Sequence, residues 1–507
     1  MSDAPFLAAE PYDAANRALI ENVHPADWTN PPVPDKPYAL LAIGGGTAGL
    51  VTAAGAAGLG ARVALIEKSM LGGDCLNVGC VPSKAVIASG HAAVAAKGSP
   101  ALGVTSGEVS VDFGAAMGRM REVRAAISPV DSAAGLRDKG VDVFLGAARF
   151  VGPQAVEVTA DDGSVVTLKF AKACVATGGR AALPPIEGLA EAQPLTNETV
   201  FSLTERPEHL VVLGGGPIGC ELAQAFARLG TRVTLINRAP RILDKESPET
   251  SQLLEQRLRD DGVELWCDAE TRRVARDADG LTLTVDGREP LRASHVLVSV
   301  GRTPNVKGLG LEAAGIAFDE RTGVTVDDRL MTSNPNVFAA GDVASRYQFT
   351  HAADALARIV IRNALFPGSQ KASALLIPWC TYVSPEVAHV GKYAAELTAA
   401  GTAFDTYRVG WDDVDRALTD GNTDGWTEVF TAEGGDKILG ATVVGAHAGD
   451  LIAPFAMAMT HGLGLGSFSS VVLPYPTRAE VARKLGDQYN RTRLTPFKKK
   501  LMGKWLG

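Results

Sequence analysis

The sequence predicts an α/β protein with two Rossmann-like dinucleotide-binding domains and a C-terminal α+β domain, on three observations. An apolar segment, Ala39–Ile43, runs into Gly44-Gly45-Gly46-Thr47-Ala48-Gly49, then an alanine-rich helical stretch and a second apolar segment, Ala61–Ile66, ending in Glu67. The same succession returns at Leu210–Leu213, Gly214-Gly215-Gly216-Pro217-Ile218-Gly219, a helical stretch to Leu229, and Arg232–Ile236. Beyond Ile377 the periodicity shortens to alternating segments at 387–390, 405–411, 427–431 and 438–444, followed by helical ones at 450–461 and after Pro476, the pattern of an antiparallel sheet with helices.

Size and charge bound what such a chain does. Its 507 residues exceed one ordinary core and imply about three or four domains. A hydrophobic content of 46% with 21% charged residues is that of a globular protein, and a net charge of −8 argues against nucleic acid as a partner. There is no run of about 18 or more apolar residues and no basic-then-apolar leader in the first thirty, so the cytoplasm is the expected compartment. Six cysteines in so long a chain are not a disulfide framework. Cys174, Cys220 and Cys267 lie in or beside apolar segments and read as small buried hydrophobes.

Taken in order, residues 1–37 form an arm rich in proline and alanine whose apolar positions Ala18, Leu19, Val23 and Trp28 suggest one short helix and an anchor packing on the body. In the first glycine unit, glycines let the backbone turn tightly and approach a pyrophosphate, the helix N-terminus faces its charge, and an acid such as Glu67 suits a free ribose diol. The stretch Gly72-Gly73-Asp74-Cys75-Leu76-Asn77-Val78-Gly79-Cys80-Val81-Pro82-Ser83-Lys84 follows. A regular helix separates residues five apart by about 7.5 Å of rise, whereas a disulfide needs Cα atoms about 4.4–6.8 Å apart. A distorted turn supplied by Gly72, Gly73 and Gly79 would bring the pair together. Pro82 suits the first turn of a helix through Lys84, which leaves Cys80 at a positive helix terminus where a thiol ionises more readily. In a reducing compartment such a bridge would be transient and catalytic.

A helical pattern at 111–139 and short strands through 141–176 lead to Ala176-Thr177-Gly178-Gly179. The second glycine unit ends in Asn237-Arg238 instead of an acid, with Arg241 three residues on. A carboxylate there would repel a 2′-phosphate and a guanidinium would pair with one, so this unit is expected to prefer NADPH, with NADH also admitted. Strands near 281–300 close at Val300-Gly301-Arg302-Thr303-Pro304, an apolar strand ends at Gly341-Asp342, and a helix is expected from about Thr350 to Leu365. The last dozen residues are basic with interspersed apolar groups; a solvated tail is expected before contact with an anionic membrane.

With these residues in view, the chain resembles the FAD-dependent pyridine nucleotide–disulfide oxidoreductases of class I, over about residues 38–490, in their mercuric-reductase-like branch. The resemblance implies three-layer ββα nucleotide domains, a homodimer, and a C-terminal domain that forms the dimer interface. It divides the chain into a 1–37 arm, a 38–185 FAD-binding first part, a 186–306 NAD(P)H-binding domain, a 307–372 FAD-binding second part, a 373–490 interface domain and a 491–507 basic tail. It implies that Gly44, Gly46, Gly49 and Glu67 hold the FAD adenosine diphosphate, with Thr177, Gly178, Gly301 and Asp342 also on cofactor and Asp342 at the ribityl chain. Lys84 and Glu221 match the ion pair beside the flavin N5, and Gly214, Gly216, Gly219 and Arg238 match the nicotinamide-nucleotide site. By the same match Cys80 is the thiolate facing the flavin and Cys75 the sulfur exposed to substrate.

One departure bears on the substrate. Disulfide-reducing members carry a histidine near the C-terminus as proton shuttle; this chain reads Tyr475-Pro476-Thr477-Arg478-Ala479-Glu480, and a phenol with a reference pKa near 10 is a poor base at neutral pH. Tyrosine there is similar to mercuric reductase, yet no cysteine follows Cys380 to feed metal inward, and the arm holds no Cys-x-x-Cys module. The expected activity is electron transfer from NADPH through FAD to Cys75–Cys80, with Tyr475 and Glu480 at the site, and on to a soft metal ion held transiently by the two sulfurs or to a thiol-reactive or disulfide acceptor. The alternatives are quinone or oxygen reduction at the flavin, and a redox sensor or complex subunit. Cys380 reads as a packing residue before a third redox group, and His351, His447 and His461 are candidates for the missing base.

Overall fold

Strands without a polar face organise the first part of the chain: Tyr38–Ile43 (β1) and Val63–Glu67 (β2) are buried almost throughout. The computed structural model describes residues 9–278 and 280–506, which group into two units. One holds the chain up to Ala96, Glu108–Pro240 and Gly262–Leu375; the other holds Lys97–Gly107, Arg241–Asp261 and the chain from Leu376.

In the first unit, α1 (Ala14–Val23) precedes β1 and is capped by Asp13, whose side chain accepts from the Asn16 amide. Then come α2 (Thr47–Gly58), α3 (Gly73–Asn77), α4 (Cys80–Ala96) and α5 (Phe113–Ile127). The sheet continues with β3 (Val141–Leu145), β4 (Ala147–Gly152), β5 (Ala155–Thr159) and β6 (Val165–Val175). Its order is β3-β2-β1-β6-β5-β4: parallel from β3 to β6, then antiparallel through the β5–β4 meander. Leu41 and Ile43 face a core shared with Phe150, Val156 and Phe170 of the meander, while Leu40 and Ala42 face one shared with Leu50 of α2 and Leu19 of α1. Alternate residues of one strand thus bury on opposite sides, which produces the three layers expected.

The arm forms the short helix the sequence predicts, and Trp28 anchors it by donating to the Val143 carbonyl at 3.1 Å. Asn30 then brackets Leu145, donating to its carbonyl at 2.9 Å and accepting from its amide at 2.8 Å. Because β3 is the edge strand, these bonds cap backbone groups that would otherwise be open to pairing. β3 itself is almost wholly buried, so only β4, β5 and the first half of β6 alternate as the sequence suggested for 141–176.

The second glycine unit is built from β7 (His209–Leu213), α6 (Pro217–Arg228) and β8 (Arg232–Ile236), completed by β9 (Val263–Trp266) and β10 (His295–Val298), all parallel in the order β9-β8-β7-β10. Later, β11 (Val337–Ala339) joins β6 in the first sheet and leads to α8 (Thr350–Leu365), which packs on α2. The helical run Gly73–Ala96 is long and apolar enough to cross a bilayer by length and composition alone. It is broken at Val78-Gly79, carries Asp74 and Lys84, and packs on α5 and α6, which is the behaviour of a core helix.

In the second unit, β12 (Trp379–Thr381), β13 (Glu386–Gly391), β14 (Phe404–Gly410), β15 (Trp426–Ala432) and β16 (Ile438–Gly445) form an antiparallel sheet in the order β12-β13-β16-β15-β14. Against it lie α9 (Ala453–Thr460) and α10 (Glu480–Thr492), around a core centred on the fully buried Trp411. The helix expected at 450–461 is two, Ala448–Leu451 and α9. The segment 241–261, which carries α7 (Pro248–Asp260), groups here through Arg408 with Glu249 and Arg257 with Asp424. Finally α11 (Pro496–Leu506) is a helix with every described side chain exposed.

Candidate active site

Three glycines shape the turn that carries the cysteines. Gly72 and Gly73 adopt φ of +89° and +54°, and a Cβ on Gly79 would lie 2.7 Å from the Asp74 carbonyl oxygen. Cys75 therefore ends up on short α3 and Cys80 at the first position of α4, both as free cysteines. Cys80 is exposed and Cys75 half-buried. The Cys80 sulfur lies 3.3 Å from the hydroxyl of Thr350, the first residue of α8. The Cys75 thiol hydrogen-bonds to Cys80; with the Thr350 hydroxyl and the nearby Lys84 ammonium this pulls the Cys80 thiol down to about 6, against desolvation. The same bond from Cys80, together with burial, pushes Cys75 upward. One sulfur is thus held as thiolate and the other as its proton donor.

Lys84 sits one turn beyond Cys80 on α4, and its Nζ meets Glu221 Oε2 at 2.7 Å. Glu221 is buried on α6, so a strand-and-helix unit 137 residues downstream completes the pair the sequence singled out. Arg302, which sequence reasoning did not weigh as a site residue, forms a second charged cluster: its Nε donates to Asp342 at 3.0 Å, and its Nη2 donates to Asp74 and to the Gly179 carbonyl. Burial holds the Asp342 carboxyl above its usual range, opposed by Arg302. Thr350 was missed too; its position at the start of a helix predicted from Thr350 was the one available signal.

The two glycine motifs share a division of labour. A Cβ on Gly49 would lie 1.7 Å from the Gly44 carbonyl oxygen, and one on Gly219 2.0 Å from that of Gly214, so the third glycines allow strand and helix to close. The middle glycines are different: a Cβ on Gly46 would approach only the Gly73 Cα at 3.7 Å, and one on Gly216 would meet nothing within 4 Å. Packing does not require glycine there, and the backbone is left open to a close ligand. At the strand ends, Glu67 Oε2 accepts from the Gly45 amide at 2.5 Å and its Oε1 from Ser69 at 2.6 Å, while Asn237 Oδ1 accepts from the Gly215 amide at 3.1 Å. Burial pushes the Glu67 carboxyl up. Arg238 is exposed beside Asn237, whereas Arg241 donates to the Asp244 carbonyl in the second unit. Thr177 donates to the Asn305 carbonyl at 2.7 Å, and Gly178 and Gly301, at φ +66° and +137°, have open space where a Cβ would stand. Both motifs lie in the first unit, and these residues fit FAD at the first glycine motif and a nicotinamide dinucleotide at the second.

Tyr475 and Glu480 belong to the second unit. Tyr475 is 71% exposed and its hydroxyl donates to Asp415 at 2.7 Å, which raises the phenol's pKa further. Glu480 is buried and takes Arg483 at 2.7 Å, so the two are not bonded to each other. His351 stacks on Phe349, His447 precedes the Ala448–Leu451 helix at φ +61°, and His461 ends α9. Cys380 is half-buried and packed against the second unit's core. Among the described residues no group of three or more His, Cys, Asp or Glu is placed to hold a resident metal ion.

A polarised thiol pair in a unit with two dinucleotide-type folds defines a nucleotide-linked thiol oxidoreductase. The family described as pyridine nucleotide-disulphide oxidoreductase matches residues 38–357, and its dimerisation domain matches 377–485. The chain is 38% identical over 464 residues to a mercuric reductase of Streptomyces lividans, covering 89% of this chain and 96% of that one. It is 35% identical over 457 residues to a dihydrolipoyl dehydrogenase of Bacillus subtilis (strain 168), covering 88% and 95%. Among solved structures, a copper(II) complex of the HOCl-induced flavoprotein disulfide reductase RclA from Escherichia coli superposes with a TM-score of 0.80 at 27% identity, covering 89% of this chain and 99% of that one. LpdA from Mycobacterium tuberculosis superposes with a TM-score of 0.81 at the same identity and coverage. The chain belongs to the pyridine nucleotide–disulfide oxidoreductase family, with mercuric reductases prominent among its relatives, as its residues suggested.

Proposed function

We propose that the protein is an NADPH-dependent flavoenzyme that passes an electron pair to Cys75 and Cys80 and from them to a soft metal ion or a thiol-reactive oxidant. The observation that carries this is the placement of Cys80 against Thr350, one helical turn from the Lys84–Glu221 pair. When bound, NADPH supplies a hydride and FAD carries its electron pair to the sulfurs. Gly44, Gly46, Gly49 and Glu67 hold the FAD adenosine diphosphate, with Thr177, Gly178, Gly301 and Asp342 along the rest of that cofactor. Gly214, Gly216, Gly219 and Arg238 hold NADPH, Arg238 by pairing with the 2′-phosphate.

Cys75 is the sulfur that meets the acceptor, its S–H hydrogen-bonded to the Cys80 thiolate until the proton leaves to solvent. An acceptor that draws two electrons leaves the pair as a disulfide and releases one proton, and a further electron pair with a proton returns it to the reduced state, so electrons and protons balance in each cycle. Tyr475, bonded to Asp415 and with its ionisation suppressed, is no substitute for an imidazole base; this supports acceptors that need no such base. A copper(II) complex of the similar RclA, and mercuric reductases among the relatives, support a metal ion among them. The dimerisation domain supports a homodimer, and the cytoplasm, which keeps thiols reduced, suits the cycle.

The test is anaerobic reduction of the holoenzyme with a panel of acceptors. Two electron pairs per protomer, and loss of acceptor turnover in Cys75→Ser and Cys80→Ser with flavin retained, are the expected results. Turnover that survives both substitutions would move reduction to the flavin, as for a quinone or oxygen.

A further inference from the structure

The N-terminal arm, which precedes the family match at residue 38, reaches the cysteine turn at three points. The Val23 carbonyl at the end of α1 accepts from the Leu71 amide at 3.1 Å, and the His24 ring is bonded to the Ser69 carbonyl. The third link is buried. Arg124 of α5, fully buried, donates through Nη2 to Asn16 Oδ1 at 2.8 Å and through Nη1 to the Asn77 carbonyl at 2.5 Å. Asn77 lies between the two cysteines and folds the turn on itself, its amide donating to the Leu71 carbonyl at 3.0 Å and the Gly73 carbonyl at 2.9 Å. Asn16, also fully buried, is set by its own bond to the Pro11 carbonyl at 2.9 Å, and the neighbouring Asp13 pairs with Arg121 at 2.6 Å.

A guanidinium is costly to bury, and apolar packing would fasten a helix to the body more cheaply. What a planar fork adds is fixed direction: one edge reads the arm, the other the backbone carbonyl two residues past Cys75 and three before Cys80. We propose that the arm is a positioning element of the redox centre, holding the turn between Cys75 and Cys80 through Asn16, Arg124 and Asn77 and so setting how the two sulfurs face each other. This rests on the reading of that pair as the redox centre.

The experiment measures the rate at which iodoacetamide alkylates each cysteine of the dithionite-reduced holoenzyme as a function of pH, read by mass spectrometry. It compares wild type, Asn16→Ala, Asn16→Asp and Asn22→Ala, with flavin content recorded for each. Asn22 is the control, since it ties the arm to Ser128 at 3.0 Å and makes no bond to the turn. The groups that face Cys80 are Cys75, Thr350, Lys84 and Glu221, and Asp131 adds to those facing Cys75; none is altered in these variants. Asn16→Ala is expected to move the midpoint of the Cys80 profile by about half a pH unit or more. Asn16→Asp, which keeps an acceptor oxygen for Arg124 but gives up the donor to the Pro11 carbonyl, is expected to bring the midpoint back toward the wild-type value, and Asn22→Ala to leave it in place. An unmoved midpoint in Asn16→Ala, or an equal shift in Asn22→Ala, overturns the proposal while leaving the redox pair standing. Should Asn16→Ala fail to fold, Asn16→Ser, which is too short to reach Arg124, is read in its place by the same criteria. A wild type whose two cysteines both react as ordinary thiols removes the redox reading itself, and this proposal with it.

Discussion

Replacing Thr350 by valine removes one hydroxyl and little else, and the effect on Cys80 can be worked out from the geometry. The hydroxyl lies 3.3 Å from the sulfur and stabilises the thiolate more than the thiol. A hydrogen bond to a charged group contributes about 1.5–3 kcal/mol; for a diffuse sulfur anion on an exposed residue we take about 1–1.5 kcal/mol. At about 1.4 kcal/mol per pKa unit, the Cys80 thiol rises by about one unit, from about 6. The sign follows directly. At pH 7 the thiolate fraction falls from about nine-tenths to about half, while below about pH 5 and above about pH 9 the two proteins become alike. The assay is the pH dependence of the long-wavelength absorbance of the half-reduced holoenzyme, checked against alkylation rates. A midpoint that does not move, or a difference that persists at pH 9, would refute the reasoning, because a lost hydrogen bond acts only where the two protonation states coexist.

Other outcomes follow from single contacts. Arg238→Ala should raise KM for NADPH by about ten- to a hundredfold and leave that for NADH unchanged, since a charge-assisted pair with phosphate is lost; an equal effect on both nucleotides in steady-state kinetics would place Arg238 off the 2′-phosphate. Tyr475→His should increase turnover of small disulfides by supplying a base that titrates near neutrality, and no gain in a disulfide-reductase assay would mean that the proton comes from elsewhere. Trp411→Ala should cost about 3–5 kcal/mol in urea unfolding, because the ring is fully buried and its Nε1 donates to the Val444 carbonyl at 2.6 Å. Deleting the chain from Leu494 should change stability by no more than about 0.5 kcal/mol and leave kcat unaltered, since α11 buries no side chain; a loss of turnover would give the basic tail a contact.

What the sequence discloses and what it hides have physical causes. The nucleotide units are legible because a parallel strand buried on both faces must be an unbroken apolar run, and because the turn onto the helix tolerates only glycine at Gly44, Gly49, Gly214 and Gly219. The Lys84–Glu221 pair is legible through family resemblance alone; nothing local connects two residues 137 apart. Arg302 and Thr350 escape for the same reason. Each acquires its meaning from a partner more than two hundred residues away, Asp74 for one and Cys80 for the other, and neither stands in a pattern of its own. The arm is half legible: apolar spacing gives α1 and the Trp28 anchor, but the buried path from Asn16 through Arg124 to Asn77 consists of polar residues that read as surface when met singly.

The two strand ends show how such a fold separates structural duty from ligand choice. Glu67 and Asn237 close their strands in the same way, each accepting from the backbone amide of the second glycine of its motif, at 2.5 Å and 3.1 Å. A carboxylate oxygen and an amide oxygen serve that bond alike, so the turn does not dictate which residue stands there. Charge is then the property free to differ, and it is charge that a ribose diol and a 2′-phosphate distinguish. With Arg238 exposed beside the neutral Asn237, the second glycine motif presents a positive charge where the first presents a carboxylate. The proposed preference for NADPH thus rests on a position to which the glycine turn is indifferent, so that one backbone could carry two different nucleotides within a single chain.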